Sequence, residues 1–177
     1  MGFVDVGPDP ATNGTWTKFL DEVFVRIRGE LHSLWRAVDQ DGIVLDILVQ
    51  SRRNAGAAKR FFKRLLKGLE YVPRVLVTDK LGSYGVAKRA LMPDVEHRKS
   101  RYLNNRAENS HRPTRRRERQ MQRFKSPRKA QRFLSAHAFI YGHFRPRRHL
   151  TTARRYRAFR SAAFRVWNRE TCAQTAA

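Results

Sequence analysis

Carboxylates are scarce in this chain of 177 residues, 15 against 38 lysines and arginines, for a net charge of +23. An excess of that size marks a partner that is a polyanion such as nucleic acid. On a surface facing phosphate an unpaired Asp or Glu is repelled, so the acidic residues kept there need a reason. Three stand out. Asp21 opens the first β-patterned segment, Asp79 ends a short apolar run (Arg74 to Thr78), and Glu108 lies alone in Tyr102 to His111. They are 58 and 29 positions apart in turn. A metal would resolve the conflict: carboxylate oxygens suit hard divalent ions, and two such ions roughly 3.5 to 4 Å apart polarise both the attacking and the leaving oxygen of a phosphodiester. Taken singly, an aspartate at a strand end is more often a turn former or a helix cap; taken together the three point to phosphoryl transfer.

Positioning such a triad requires a sheet. Val23, Val25 and Ile27 alternate with Phe24, Arg26 and Arg28, a period of two that reads as a strand running to Gly29. Leu31 to Val38 and Ile43 to Val49 are two more strand-like runs, split by the turn sequence Asp39-Gln40-Asp41-Gly42. Asn54 can cap a helix whose apolar face holds Ala57, Ala58, Phe61, Phe62, Leu65, Leu66 and Leu69, and Pro73 stops it. Arg74 to Thr78 is a buried type of strand, Ser83 to Met92 a short helix and Val95 to His97 a last strand. The order is β-β-β-α-β-α-β, an α/β fold. If the first and fourth strands are neighbours, Asp21 and Asp79 meet at a sheet end, where α/β sites form, and Glu108 reaches in from the following helix. Glu22, adjoining Asp21, would point to the opposite face. Further on, Ser126-Pro127 starts a helix with a stripe of Ala130, Phe133, Leu134, His137, Ala138, Tyr141 and Phe144, and Thr152 to Trp167 repeats the theme among arginines.

The charge is lopsided: residues 1 to 96 carry a net +3 and residues 97 to 177 a net +20. Arg112, Arg115, Arg116, Arg117, Arg119 and Lys125 form a run that in most proteins is a solvated helix face; the surrounding charge favours phosphate contact, which positions DNA without reading its sequence. His97 and His111 suit a solvated or capping role, or contact with DNA or Glu108. Asn104 and Asn105 suit orienting Glu108 or a phosphate, or capping its helix. Trp16, Trp35 and Trp167 suit packing. Hydrophobic residues at 41% exclude a disordered basic tail, and no stretch is apolar enough to span a bilayer, so the expected location is the cytosol. The single cysteine, Cys172, excludes an intrachain disulfide. An RNA-associated protein is disfavoured because no aromatic RNA-binding motif is present.

The segments LDEVFVRIRGELHSLWRAVDQDG (20 to 42), SRRNAGAAKRFFKRLL (51 to 66), VLVTDKLGSYG (75 to 85), VEHRKSRYLNNRAENSHRPTRRRERQMQRFKS (95 to 126) and AHAFIYGHFRPRRH (136 to 149) resemble, in this order, the DDE transposases of bacterial insertion sequences, most closely the IS-six family. The resemblance implies a ribonuclease H-like catalytic core with a mixed five-stranded sheet, attack on DNA by water and then by a DNA 3′-hydroxyl, and no covalent protein intermediate. It implies Asp21, Asp79 and Glu108 as catalytic ligands of two Mg²⁺, with Mn²⁺ as a substitute, and places on Arg115 the basic residue found seven positions after the family's glutamate. The implied partners are element ends and target DNA, bound by a homo-oligomer. The implied division is an irregular leader (1–15), an integrase-core domain (16–150) and a basic helical extension (151–177). Relatives carry a helix-turn-helix region of several dozen residues before the first aspartate; 20 residues precede it here, and residues 1–15 do not resemble that region. The expectation is an N-terminally truncated copy, with a catalytically idle DNA-binding remnant or regulator of the full-length transposase as the alternative.

Overall fold

The computed structural model describes residues 17–100, 103–104, 111–112, 115–117, 124–144 and 151–172. Glu108, Asn105, Arg119, Trp16 and the leader lie outside the described residues. Five strands, β1 (Thr17–Ile27), β2 (Glu30–Val38), β3 (Val44–Gln50), β4 (Val75–Thr78) and β5 (Glu96–Lys99), form one sheet in the order β3-β2-β1-β4-β5. Strand β2 runs antiparallel to β1 and β3, while β4 lies parallel to β1 and β5 parallel to β4. This mixed sheet, three strands in a meander followed by two reached over helices, is the ribonuclease H-like arrangement.

Local chemistry explains the elements. The β1–β2 hairpin turns on Arg28 and Gly29, with φ of 54° and 88°; two left-handed central residues give the turn whose twist matches the flanking strands. Helix α1 (Ala55–Leu69) starts at Asn54, whose side chain accepts a hydrogen bond from the Ala57 N–H at 2.9 Å, and ends at Glu70 in the left-handed region. Helix α2 (Gly82–Leu91) follows β4. Helix α3 (Pro127–Phe144) is capped by Ser126, whose Oγ accepts from the Lys129 N–H at 3.2 Å, and α4 (Ala153–Thr171) by Thr152.

Alternation along the strands divides the core in two. Leu20, Trp35 and Leu76 face α1 and α2, where Trp35 meets Tyr84 edge-on at 5.3 Å and Phe62 stacks on Tyr84 at 6.0 Å. Val23, Val25, Ile27, Leu34 and Ile47 face the other way, against Phe124, Ala130 and Leu134. Gln131 of α3 blocks the edge strand. Its amide accepts from the Val49 N–H at 2.7 Å and donates to the Ile47 carbonyl at 2.8 Å, satisfying β3 backbone groups that have no neighbouring strand.

Two expectations change. Asp21 does not open β1 but sits in its middle, because the pairing with β4 begins at Thr17. The last strand starts one residue later than Val95, which is buried in the core instead. Trp35 is a core residue, and Trp167 packs against Phe144 at 5.4 Å.

Candidate active site

The site follows from register. The β1–β4 ladder ends with Leu20 beside Thr78, since β4 is only four residues long. The next residue on each chain is an aspartate, Asp21 on the still-extended β1 and Asp79 where the chain leaves β4. Asp79 also fills the modest role open to it: its Oδ1 accepts the Leu81 N–H at 3.0 Å and shapes the turn into α2. Its Oδ2 makes no hydrogen bond among the described residues.

Burial dominates the electrostatics of this corner. Burial pushes the Asp21 carboxyl up from 3.8 to about 6, opposed by the backbone N–H of Glu22 and by Arg115, Arg36 and Arg53. Asp79 is raised too, first by burial and then by the charge of Asp21, against the Leu81 N–H and Arg53. Glu22 is raised by burial and by Asp79. Asp21, buried, and Asp79, partly buried, are hard oxygen donors of the kind a divalent cation would take as ligands. Among the described residues no third His, Cys, Asp or Glu completes a metal cluster; Glu108, the expected third ligand, lies outside them. The residues present fit a divalent metal.

The surroundings were only partly foreseen. Glu22 does take the opposite face, where its carboxylate, 1% exposed, pairs with Arg53. The Tyr84 hydroxyl lies near it, yet neither that oxygen nor Glu22 Oε2 makes a well-formed hydrogen bond among the described residues. His111 is not solvated: its side chain is 2% exposed and its Nε2 lies 3.4 Å from Asp21 Oδ2. Burial, with Arg36 and Arg115 nearby, holds its pKa well below the usual imidazole range, so it stands neutral beside Asp21. His97 is not a surface group either. The Thr78 hydroxyl donates to the Asp79 carbonyl at 2.8 Å, so His97 Nε2, 2.9 Å from Thr78 Oγ1, carries the proton and donates to that hydroxyl oxygen. Asn104 is buried and does not face solvent; its Nδ2 donates to the Leu20 carbonyl at 2.9 Å, tying the segment after β5 to the residue before Asp21.

Arg36 was missed. It stands opposite Asp21 on β2, buried, and burial lowers its pKa to about 10 although Asp21 pulls it back up. An arginine inside the apolar run Leu34-Trp35-Arg36-Ala37 is the signal that an acidic partner lies across the hairpin. Arg53, in the loop before α1, left no such signal. Of the expected DNA-facing residues, Arg112, Arg115, Arg116, Arg117 and Lys125 are exposed, and Arg115 lies close enough to Asp21 to favour its charged form.

The sequence profile of the family described as DDE domain matches residues 15–160. With most of its length inside that match, the chain belongs to the DDE-domain family of insertion-sequence transposases. A stretch of 99 residues is 37% identical to the transposase for insertion sequence-like element IS431mec of Staphylococcus aureus, covering 52% of this chain and 43% of that protein. The transposase for insertion sequence element IS257 in transposon Tn4003, also from Staphylococcus aureus, matches to the same extent. Over 77 residues the chain is 40% identical to the uncharacterized protein pYV0051 of Yersinia pseudotuberculosis, covering 42% of this chain and 72% of that protein. The chain thus spans less than half the length of the staphylococcal transposases. Among solved structures, the HTLV-2 integrase catalytic core domain in complex with magnesium (trimeric form) aligns with a TM-score of 0.45 at 14% identity, covering 52% of this chain and 64% of that one. Among the described residues no helix is long and apolar enough to cross a membrane.

Proposed function

We propose that this chain carries the catalytic core of a transposase that cleaves and joins DNA strands at the ends of an insertion sequence. The observation that carries the reading is the adjacency of Asp21 and Asp79 at the end of the β1–β4 ladder in a chain of the DDE-domain family. Asp21, Asp79 and Glu108 would hold two magnesium ions, or manganese in their place, and that pair supplies polarisation of the attacking and leaving oxygens of a phosphodiester.

The chain's own groups do the rest. Asp21 and Asp79 take up their places from the backbone register, so little reorganisation is needed at the moment of reaction. Arg36 and His111 close off the buried side of Asp21 and keep water from it. Thr78, locked between His97 and the Asp79 carbonyl, fixes the point where the chain leaves β4. In the reaction, water cuts the phosphodiester at the element end; the freed 3′-hydroxyl attacks a phosphodiester of target DNA, and the old 3′-oxygen leaves. Arg112, Arg115, Arg116, Arg117, Arg119 and Lys125 contact phosphates along the approach. The working form is a homo-oligomer on element ends and target DNA, in the cytoplasm on the nucleoid.

Residues 16–150 form the catalytic domain in this reading. Residues 151–177 form a basic extension, supported by an α4 without a buried side chain. A strand-transfer assay on pre-cleaved element ends with Mg²⁺ tests the proposal: joining by the wild type and none by Asp79→Asn is expected, and equal activity in the two refutes it.

A further inference from the structure

Arg53 stands at this site with no role assigned to it. Its Nε lies 2.6 Å from Glu22 Oε1, and its Nη2 pairs with the same oxygen. The Glu22 side chain is 1% exposed while that of Arg53 is 42% exposed, so the guanidinium is gripped along one edge from below and open to solvent elsewhere. The Phe24 ring lies 5.5 Å from its central carbon, and Asn54, the next residue, is fixed as the cap of α1. Glu22 directly follows Asp21 on β1, where the β1–β4 ladder ends, so its ion pair holds Arg53 beside the Asp21–Asp79 corner; Arg53 also favours the charged forms of both aspartates, yet its ion pair is with Glu22 and not with either of them. Glu22 is an expensive anchor. A buried carboxylate next in sequence to Asp21 and repelled by Asp79 adds a third acidic group to a corner that already holds two. What it gains is an arginine held beside the two aspartates without neutralising either.

We infer that Arg53 contacts the phosphate undergoing transfer, its guanidinium aimed by the buried Glu22 carboxylate toward the rim of the Asp21–Asp79 site. The planar fork suits two phosphate oxygens at once, and a lysine in its place could not both grip Glu22 along an edge and present donors to phosphate. Glu22 acts through Arg53 and is a positioning residue. This inference rests on the phosphoryl-transfer reading of the site.

The test is strand transfer of pre-cleaved duplex ends in Mg²⁺, together with binding of the same ends in Ca²⁺ and Mn²⁺ affinity of the DNA-free protein, for Arg53→Gln, Arg53→Lys, Glu22→Gln and the double variant Glu22→Gln/Arg53→Gln. Arg53→Gln is expected to slow joining by about tenfold or more and to reduce the salt dependence of end binding by about one phosphate contact. Arg53→Lys recovers little of the rate, Glu22→Gln falls between, and every variant still binds Mn²⁺ because no ligand is lost. The double variant leaves no buried unpaired carboxylate; it is expected to melt like the wild type and still join as slowly as Arg53→Gln. Wild-type joining by the double variant would show that Arg53 merely neutralises Glu22 and would overturn the inference, as would wild-type joining and end binding by Arg53→Gln. Should Asp79→Asn join ends as well as the wild type, the reading of the site itself fails, whatever position 53 does. If no variant joins ends, the binding measurement decides: an unchanged salt dependence in Arg53→Gln overturns the inference.

Discussion

Replacing Asp21 with asparagine should make the metal-free protein more stable at neutral pH. The folded protein holds the Asp21 carboxyl at about 6 against 3.8 when free, so it prefers the protonated form. At about 1.4 kcal/mol for each tenfold change in proton affinity, that preference corresponds to about 3 kcal/mol. The sign follows from linkage: the raised value adds stability that is fully present below 3.8 and is lost as pH rises through about 6, leaving the ionised carboxylate as a penalty above it. The figure already contains the attraction of Arg36, Arg53 and Arg115. Asparagine has nearly the shape of the protonated acid and carries no charge at any pH. Thermal unfolding in a chelator should therefore show the variant and the wild type melting together near pH 3.5. By pH 7.5 the variant should melt higher by up to about 3 kcal/mol, or roughly 6 to 12 °C for a chain of this size. Mg²⁺ should then raise the wild-type melting temperature more than that of the variant. A variant that melts at or below the wild type at pH 7.5 would refute the claim that this carboxylate is held against its own solvation for a cation's sake.

Three further outcomes test the scaffold. Gln131→Leu removes both bonds to the β3 edge and should cost about 2 kcal/mol in urea unfolding with an unchanged m-value; no loss would mean that α3 is not pinned through that amide. Asn104→Leu deprives the buried Leu20 carbonyl of its donor and should cost about 1 to 3 kcal/mol while slowing strand transfer; full activity would detach this segment from the placement of Asp21. Phe62→Ala, in the core between α1 and the sheet, should cost about 3 to 5 kcal/mol, and a cost below about 1 kcal/mol would contradict the packing against Tyr84.

How much of this was legible in the sequence varies with the range of the forces involved. The strands and α1 announce themselves through period and caps: Val23, Val25 and Ile27 alternate, and Asn54 begins a helix with an apolar stripe. The β1–β4 adjacency that brings Asp21 to Asp79 was a conditional reading, settled by parallel pairing across 58 residues of chain. Roles fixed by long-range burial were not legible. Asn104 reads as a cap or a phosphate contact because nothing nearby reveals that its donor is the one that satisfies Leu20. His97 and His111 read as surface groups because their burial comes from β4 and β1, far away in sequence. Glu22 could be assigned a face from its parity with Asp21, but its partner Arg53 lies in a loop whose position depends on where β3 ends and α1 begins.

The most direct measurement of whether Asp79 ligates a catalytic metal is strand transfer by Asp79→Cys in Mg²⁺ and in Mn²⁺. A thiolate is a poor ligand for magnesium and a better one for the softer manganese. If Asp79 binds the metal, the variant should be inactive in Mg²⁺ and recover substantially in Mn²⁺, while the wild type works in both. Activity of the variant in Mg²⁺, or equal loss in the two metals, would contradict a metal-ligating Asp79.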